Sequence, residues 1–109
     1  PSGTKAALET LSFFEGEKIL VTPAMVELGD KQEEYNCEFG RNAATVCDYV
    51  ALGGERQTKS IYKGLVEAGF DESHIFVSPA LGDALAKVGA IRTDKKKIVL
   101  LENDLPDNY

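Results

Sequence analysis

No run of apolar residues in this chain approaches the roughly 20 needed to span a bilayer, so no membrane partner is expected. Histidine occurs once and cysteine twice. His74 has no Ser, Cys or second His at a recognisable catalytic spacing, which favours a strand-edge position over a catalytic one. Cys37 and Cys47 fall ten residues apart on one expected helix, which separates them by about 15 Å at 1.5 Å rise per residue, too far for a disulfide. They read as reduced, inert cytosolic thiols. No carboxylate spacing matches a calcium loop, and the phosphate-cradling pattern G-x-x-x-x-G-K-[ST] is missing. There is no internal repeat, no low-complexity tract and no signal-peptide pattern, and the abrupt start at Pro1 reads as an engineered boundary or a cut inside a larger protein. Basic residues are outnumbered, 12 against 18 acidic, and the resulting charge of -6 repels phosphate backbones and argues against nucleic-acid binding.

What remains is an ordinary globular composition, 43% hydrophobic and 28% charged over 109 residues, enough for one domain (1–109) with a single core and modest stability. The chain is organised around the β-branched run Lys18-Ile19-Leu20-Val21-Thr22, a buried central strand ended by Pro23, which cannot donate to a sheet ladder. Before it, Ala7, Leu8, Leu11 and Phe14 recur at helical spacing and predict a helix over about 4–13, capped by Ser2 or Thr4 and stopped by Glu15-Gly16-Glu17. After it, Asp30 with Glu33 forms an acidic capping box for a second helix over 31–47, whose apolar stripe is Tyr35, Phe39, Ala43, Val46 and Cys47. A second strand is expected at 48–52, then Gly53-Gly54, a third helix capped by Thr58 and ended by Gly69, a third strand at 74–77, a fourth helix at 79–90 and a last strand at 97–101.

Helices alternating with strands predict a three-layer, Rossmann-like α/β fold with a mainly parallel sheet wound by right-handed crossovers. The expected strand order is fourth-first-second-third, with helices two and three on one face and helix four on the other. A parallel sheet needs both faces covered, and one helix is thin cover for four strands. In such a sheet ligands sit at the carboxyl ends of the strands where the winding reverses, here the loop after the first strand and the tail after the last. Both are acidic, with Glu27, Glu102, Asp104 and Asp107. An acidic lip suits an ammonium group that must be oriented and then deprotonated; solvated surface charge is the plain alternative. Gly53 to Lys59 places Arg56 and Lys59 near a helix N-terminus, where an anion could bind, or forms a simple turn.

Read in one piece, Lys18 to Gly29 (K-I-L-V-x-x-x-M-x-E-L-G) resembles the C-terminal domain of the Mur ligases, in particular the branch that joins D-alanyl-D-alanine to UDP-N-acetylmuramoyl-tripeptide. Pro1 with Lys5-Ala6-Ala7-Leu8 is similar to that family's N-P-x-S-x-K-A-A-L stretch, with Gly3 at the Ser position. Met25, Glu27, Leu28 and Gly29 fit its G-D-M-x-E-L-G loop, although Pro23-Ala24 replaces Gly-Asp. Leu28, Gly29 and Gly40 match L-G-x6-H-x3-G, with Asn36 at the His position. Glu102-Asn103-Asp104-Leu105 stands where Lys-Gly-Ser-Arg is usual. These departures mark a divergent branch.

The resemblance implies a domain of a cytoplasmic ligase of peptidoglycan synthesis in which an upstream ATP-binding domain, with ATP and Mg2+, converts the substrate carboxylate to an acyl phosphate. The C-terminal domain would then close over the nucleotide and help hold the incoming D-alanyl-D-alanine. On this reading it contains no catalytic residue, holds neither ATP nor a metal by itself and is inactive alone. Its substrate-binding residues would be Met25, Glu27, Gly29, Asn36, Glu102, Asn103 and Asp104. The family's domain carries two further strands, placed beside the last strand of this chain. The bare βα pattern equally permits a free-standing Rossmann-like binding or regulatory module. A phosphoacceptor receiver would need Asp at the end of the central strand, where Thr22-Pro23 stands.

Overall fold

The computed structural model describes residues 2–24 and 29–102. In chain order it forms α1 (Ser2–Ser12), β1 (Glu17–Thr22), a 3-10 turn at Gly29–Lys31, α2 (Gln32–Ala44), β2 (Tyr49–Gly53), α3 (Lys59–Glu67), a 3-10 turn at Glu72–His74, β3 (Ile75–Ser78), α4 (Leu81–Ala90) and β4 (Lys97–Leu101). The four strands make one parallel sheet in the order β3-β2-β1-β4. This is the expected order read from the other edge. β1 is central because its face residues are apolar on both sides: Ile19, Leu20, Val21 and Thr22 are all fully buried.

Alternation along the strands sorts these side chains into two cores. Leu20, Val50, Leu52 and Ile75 point to one face, where they meet Leu8 and Leu11 of α1, Phe39 and Ala43 of α2, and Ile61 and Leu65 of α3. Ile19, Val21 and Ala51 point to the other, where Ala84 and Val88 of α4, with Ile91, cover them. Three helices therefore lie on one face and one on the other. α4, ten residues long, covers the β1, β2 and β3 part of the sheet, and Lys97 Nζ ties its end to β4 by donating to Val88 O at 2.9 Å. A cation at the carbonyl end of a helix also complements its dipole.

Several local expectations are corrected. The Asp30–Glu33 capping box does not form: Asp30 lies in the 3-10 turn, and Lys31 takes the N-cap position of α2 without a side-chain cap. Thr58 occupies the N-cap of α3, but its hydroxyl donates back to Gly54 O at 2.5 Å instead of capping. α1 begins at Ser2, so Ser2 and Thr4 are inside it, and it ends at Ser12, which leaves Phe14 beyond the helical stripe and half exposed. α2 ends at Ala44, and Cys47 reaches the core from the following turn. His74 closes a 3-10 turn ahead of β3 instead of starting the strand.

Gly69 behaves as expected. Its φ of 84° is left-handed, its N–H donates to Val66 O at 3.0 Å and the next N–H, of Phe70, donates to Leu65 O at 3.0 Å. That is the paired bonding of a Schellman end, with Phe70 packed on the core that holds Leu65.

Candidate functional site

β1 connects through α2 to β2 on one side, while the chain returns from β3 through α4 to β4 on the other side of β1. The winding therefore reverses between β1 and β4, and a crevice is expected outside their carboxyl ends. Thr22, the last residue of β1, is fully buried, and its Oγ1 accepts the Ala24 N–H at 3.1 Å across Pro23. That short turn forces Ala24 to a φ of 81°, a left-handed conformation that costs a residue with a Cβ about 1–2 kcal/mol. The burial of Ala24 in the three-helix core and the bond to Thr22 hold it there. On the other side, the Glu102 N–H donates to Val21 O at 2.9 Å, extending the β1–β4 ladder one residue past the strand. Glu102 is thereby fixed beside the exit of β1.

Of the expected substrate-binding residues, Glu102 is thus at the reversal. Gly29 opens the 3-10 turn that leads into α2. Asn36 is 1% exposed on the inward stripe of α2 with Phe39, Gly40 and Ala43, in the half of the helix nearer the carboxyl edge of the sheet. Its amide belongs to the helix–sheet interior. Met25, Glu27, Asn103 and Asp104 lie outside the described residues, as does Asp107 of the expected acidic lip.

The neighbouring part of the same edge is built by Gly53-Gly54 and Ser78. A Cβ on Gly53 would lie 2.7 Å from Leu81 Cα and 2.8 Å from Leu81 N, so only glycine lets the first turn of α4 rest on β2. Gly54, at a φ of 111°, donates its N–H to Ser78 O at 2.6 Å. The Gly54 carbonyl takes the Thr58 hydroxyl, and the Gly53 carbonyl takes Gln57 Nε2 at 3.4 Å. These internal bonds are those of a turn, and Arg56 and Lys59 are both exposed beside it. Ser78 pairs in register with Gly53 on the α4 side of the sheet. Its Oγ is buried and has no hydrogen-bond partner among the described residues. The Thr22–Ala24 turn and the Gly53–Leu81 contact were not foreseen from sequence; the only cues were a Thr before Pro and a Gly pair after a strand.

Other chemistry-bearing side chains lie elsewhere. His74 is at the opposite, amino edge of the sheet, where Nδ1 bonds to Asp48 O at 2.8 Å and the ring stacks on Tyr49 with centroids 4.2 Å apart. Burial beside Asp48 pushes the Cys47 thiol up to about 12, so it stays protonated. Cys37 Sγ accepts from Arg41 Nη1 at 3.1 Å, and the same nitrogen donates to Glu67 Oε1 at 3.1 Å. The Cys37 sulfur and Glu67 together raise the Arg41 pKa. Cys37 and Arg41 line a shallow groove of about 350 Å³ together with Asp30, Glu33, Glu34 and Lys63, a mixed-charge surface. Among the described residues no three His, Cys, Asp or Glu stand together to hold a metal ion, and no helix is long and apolar enough to cross a membrane.

Comparison of the chain with family models, curated proteins and solved structures finds no match in any of the three.

Proposed function

We propose that this chain acts as the amine-substrate domain of an ATP-dependent amide ligase of the Mur type, one that adds D-alanyl-D-alanine to UDP-N-acetylmuramoyl-tripeptide in the cytoplasm. The observation that carries the proposal is the hydrogen bond from Glu102 to Val21. It brings Glu102, the residue that follows β4, against the exit of β1 at the reversal of a parallel sheet, the position where α/β sheets receive ligands. A carboxylate there accepts hydrogen bonds from an ammonium group, fixes its direction and lowers the cost of presenting it to an acyl phosphate. The upstream domain of the parent protein would form that acyl phosphate from ATP with Mg2+. Among the described residues no three His, Cys, Asp or Glu stand together as a metal ligand set and the Gly54 amide is taken by Ser78 O; on this reading ATP and Mg2+ would be held by the upstream domain. No step on this chain is routed through them.

Two measurements test the reading. The purified chain, given ATP, the tripeptide and D-alanyl-D-alanine, should release phosphate at background rate; turnover would overturn the division of labour between two domains. In the full-length parent, Glu102→Gln or Glu27→Gln should impair use of the dipeptide while changing stability by no more than about 0.5 kcal/mol, as for surface substitutions. Wild-type kinetics for both variants would reject the amine-orienting role. A free-standing binding module is the outcome if D-alanyl-D-alanine shifts no amide resonance of the chain.

A further inference from the structure

β4 is an edge of the sheet: among the described residues it pairs with β1 alone. Which of its backbone groups are spent follows from two bonds and the register. Glu17 N–H donates to Lys96 O at 2.8 Å, and Glu102 N–H donates to Val21 O at 2.9 Å, while Glu17 pairs with Lys97, Ile19 with Val99 and Val21 with Leu101. In a parallel ladder a strand alternates, one residue turning its N–H and C=O to the neighbour and the next turning them away. Lys96, Ile98, Leu100 and Glu102 therefore face β1, and the N–H and C=O groups of Lys97, Val99 and Leu101 face outward. The side chains of Val99 and Leu101 are 44% and 49% exposed, because they stand on the α4 face of the sheet beyond the part that α4 covers. An unpaired, apolar edge of this kind templates strand addition.

We infer that this edge pairs with the same edge of a second copy of the chain, antiparallel and about a two-fold axis through Val99. The charge pattern selects this occupant and this direction. Lys95 and Lys96 are exposed at the start of the strand, and Glu102 follows its end. Parallel pairing would set lysines beside lysines; antiparallel pairing sets Lys96 opposite the partner's Glu102, twice by symmetry.

The register is also selected. Centred on Val99, every outward-facing residue meets an outward-facing residue: Val99 meets the partner's Val99 and Lys97 meets the partner's Leu101, so all the outward groups of the strand are satisfied. On the α1 side Ile98 falls opposite the partner's Leu100. A slip of one residue sets outward groups against groups already bonded to β1, and a slip of two leaves an outward residue unpaired and moves Lys96 opposite an apolar side chain. The pair closes on itself and makes one continuous sheet of two copies. A single strand pair is a small interface, so the association is concentration-dependent rather than obligate. It does not rest on the ligase reading, under which two further strands of the parent would occupy this edge; it concerns the 109-residue chain by itself and is read without any ligand.

The test combines sedimentation equilibrium of the 109-residue chain over a concentration series with amide hydrogen exchange. A monomer–dimer equilibrium is expected. Protection of the Val99 and Leu101 amides should rise with protein concentration, whereas the Ile98 and Leu100 amides, bonded to β1, are protected throughout. Val99→Pro removes the central outward N–H and no β1 bond, and should leave a folded monomer. Lys96→Glu should weaken dimerisation by about tenfold, and Lys96→Glu with Glu102→Lys should restore it. The charge pair keeps the test decisive if the proline variant fails to fold. A wild-type monomer at every concentration overturns the inference, as does a dimer indifferent to these substitutions. So does protection of Val99 that is independent of concentration, which would show a strand of the same chain, such as residues 103–109, on this edge.

Discussion

The two faces of the sheet are covered in different ways. On one, α2 and α3 approach so closely that a Cβ on Gly40 would collide with the Ile61 carbonyl of α3, and one on Gly64 would collide with the Cys37 carbonyl of α2. With α1 beside them they seal a core that extends under β4, where Ile98 and Leu100 pack against it. On the other face α4 works alone over a smaller cluster rich in small side chains, and Val99 and Leu101 are left half exposed. Tight packing of two helices through glycine makes the first face intolerant of added volume. Sparse cover makes the second less sensitive to lost volume and leaves an edge that another strand can join.

The sharpest way to break this contrast is to add a methyl group. Gly64→Ala should cost about 3 kcal/mol or more, because the opposing atom is backbone and cannot rotate away; a loss below about 0.5 kcal/mol in urea denaturation would refute the close helix contact. Removal of volume should then rank the faces. Leu65→Ala, fully buried between α3 and the sheet, is expected to cost about 3 kcal/mol and Val88→Ala on α4 about half that. Equal losses would mean that α4 seals its face as well as the three helices seal theirs.

A smaller effect comes from Cys47, at the border of the three-helix core. Its folded pKa of about 12 lies above the ordinary 9.0, so the buried thiol supports folding fully below pH 9 and ceases to as pH rises toward 12. Cys47→Ala should therefore lose less stability than the parent chain over that interval, measured by thermal melts, and Cys37 should react with a thiol reagent in the folded protein while Cys47 reacts only on unfolding. The smallest change is expected on the α4 face. Ser78→Ala should be neutral or stabilise by up to about 1 kcal/mol, because the hydroxyl it removes is buried without a partner among the described residues. A clear destabilisation would show that Ser78 Oγ has a partner.

Much of the fold was legible because it depends on local patterns. Lys97 to Leu101 reads as a strand and is one, since a short β-branched and leucine run with lysines before it and Glu102 after it has no helical alternative of adequate length. Gly69 reads as a helix end because left-handed φ favours glycine. The candidate site was legible only as a place. Asn36 shows why: a polar residue at helical spacing could face solvent, a ligand or the interior, and nothing in its neighbours along the chain chooses the interior it occupies.

By itself, the sequence determined the kinds of element, their order and, through right-handed crossovers, the strand order β3-β2-β1-β4. These follow from periodicity and from chirality that acts over a few residues at a time. Tertiary structure alone decided that α1 joins α2 and α3 on one face, that Gly40 and Gly64 meet across two helices, that Ala24 is held left-handed and that Glu102 lies beside Val21. It also decided which groups of β4 turn away from the sheet. Each of these depends on atoms far apart in the chain being brought together, and no local pattern encodes a distance of that kind.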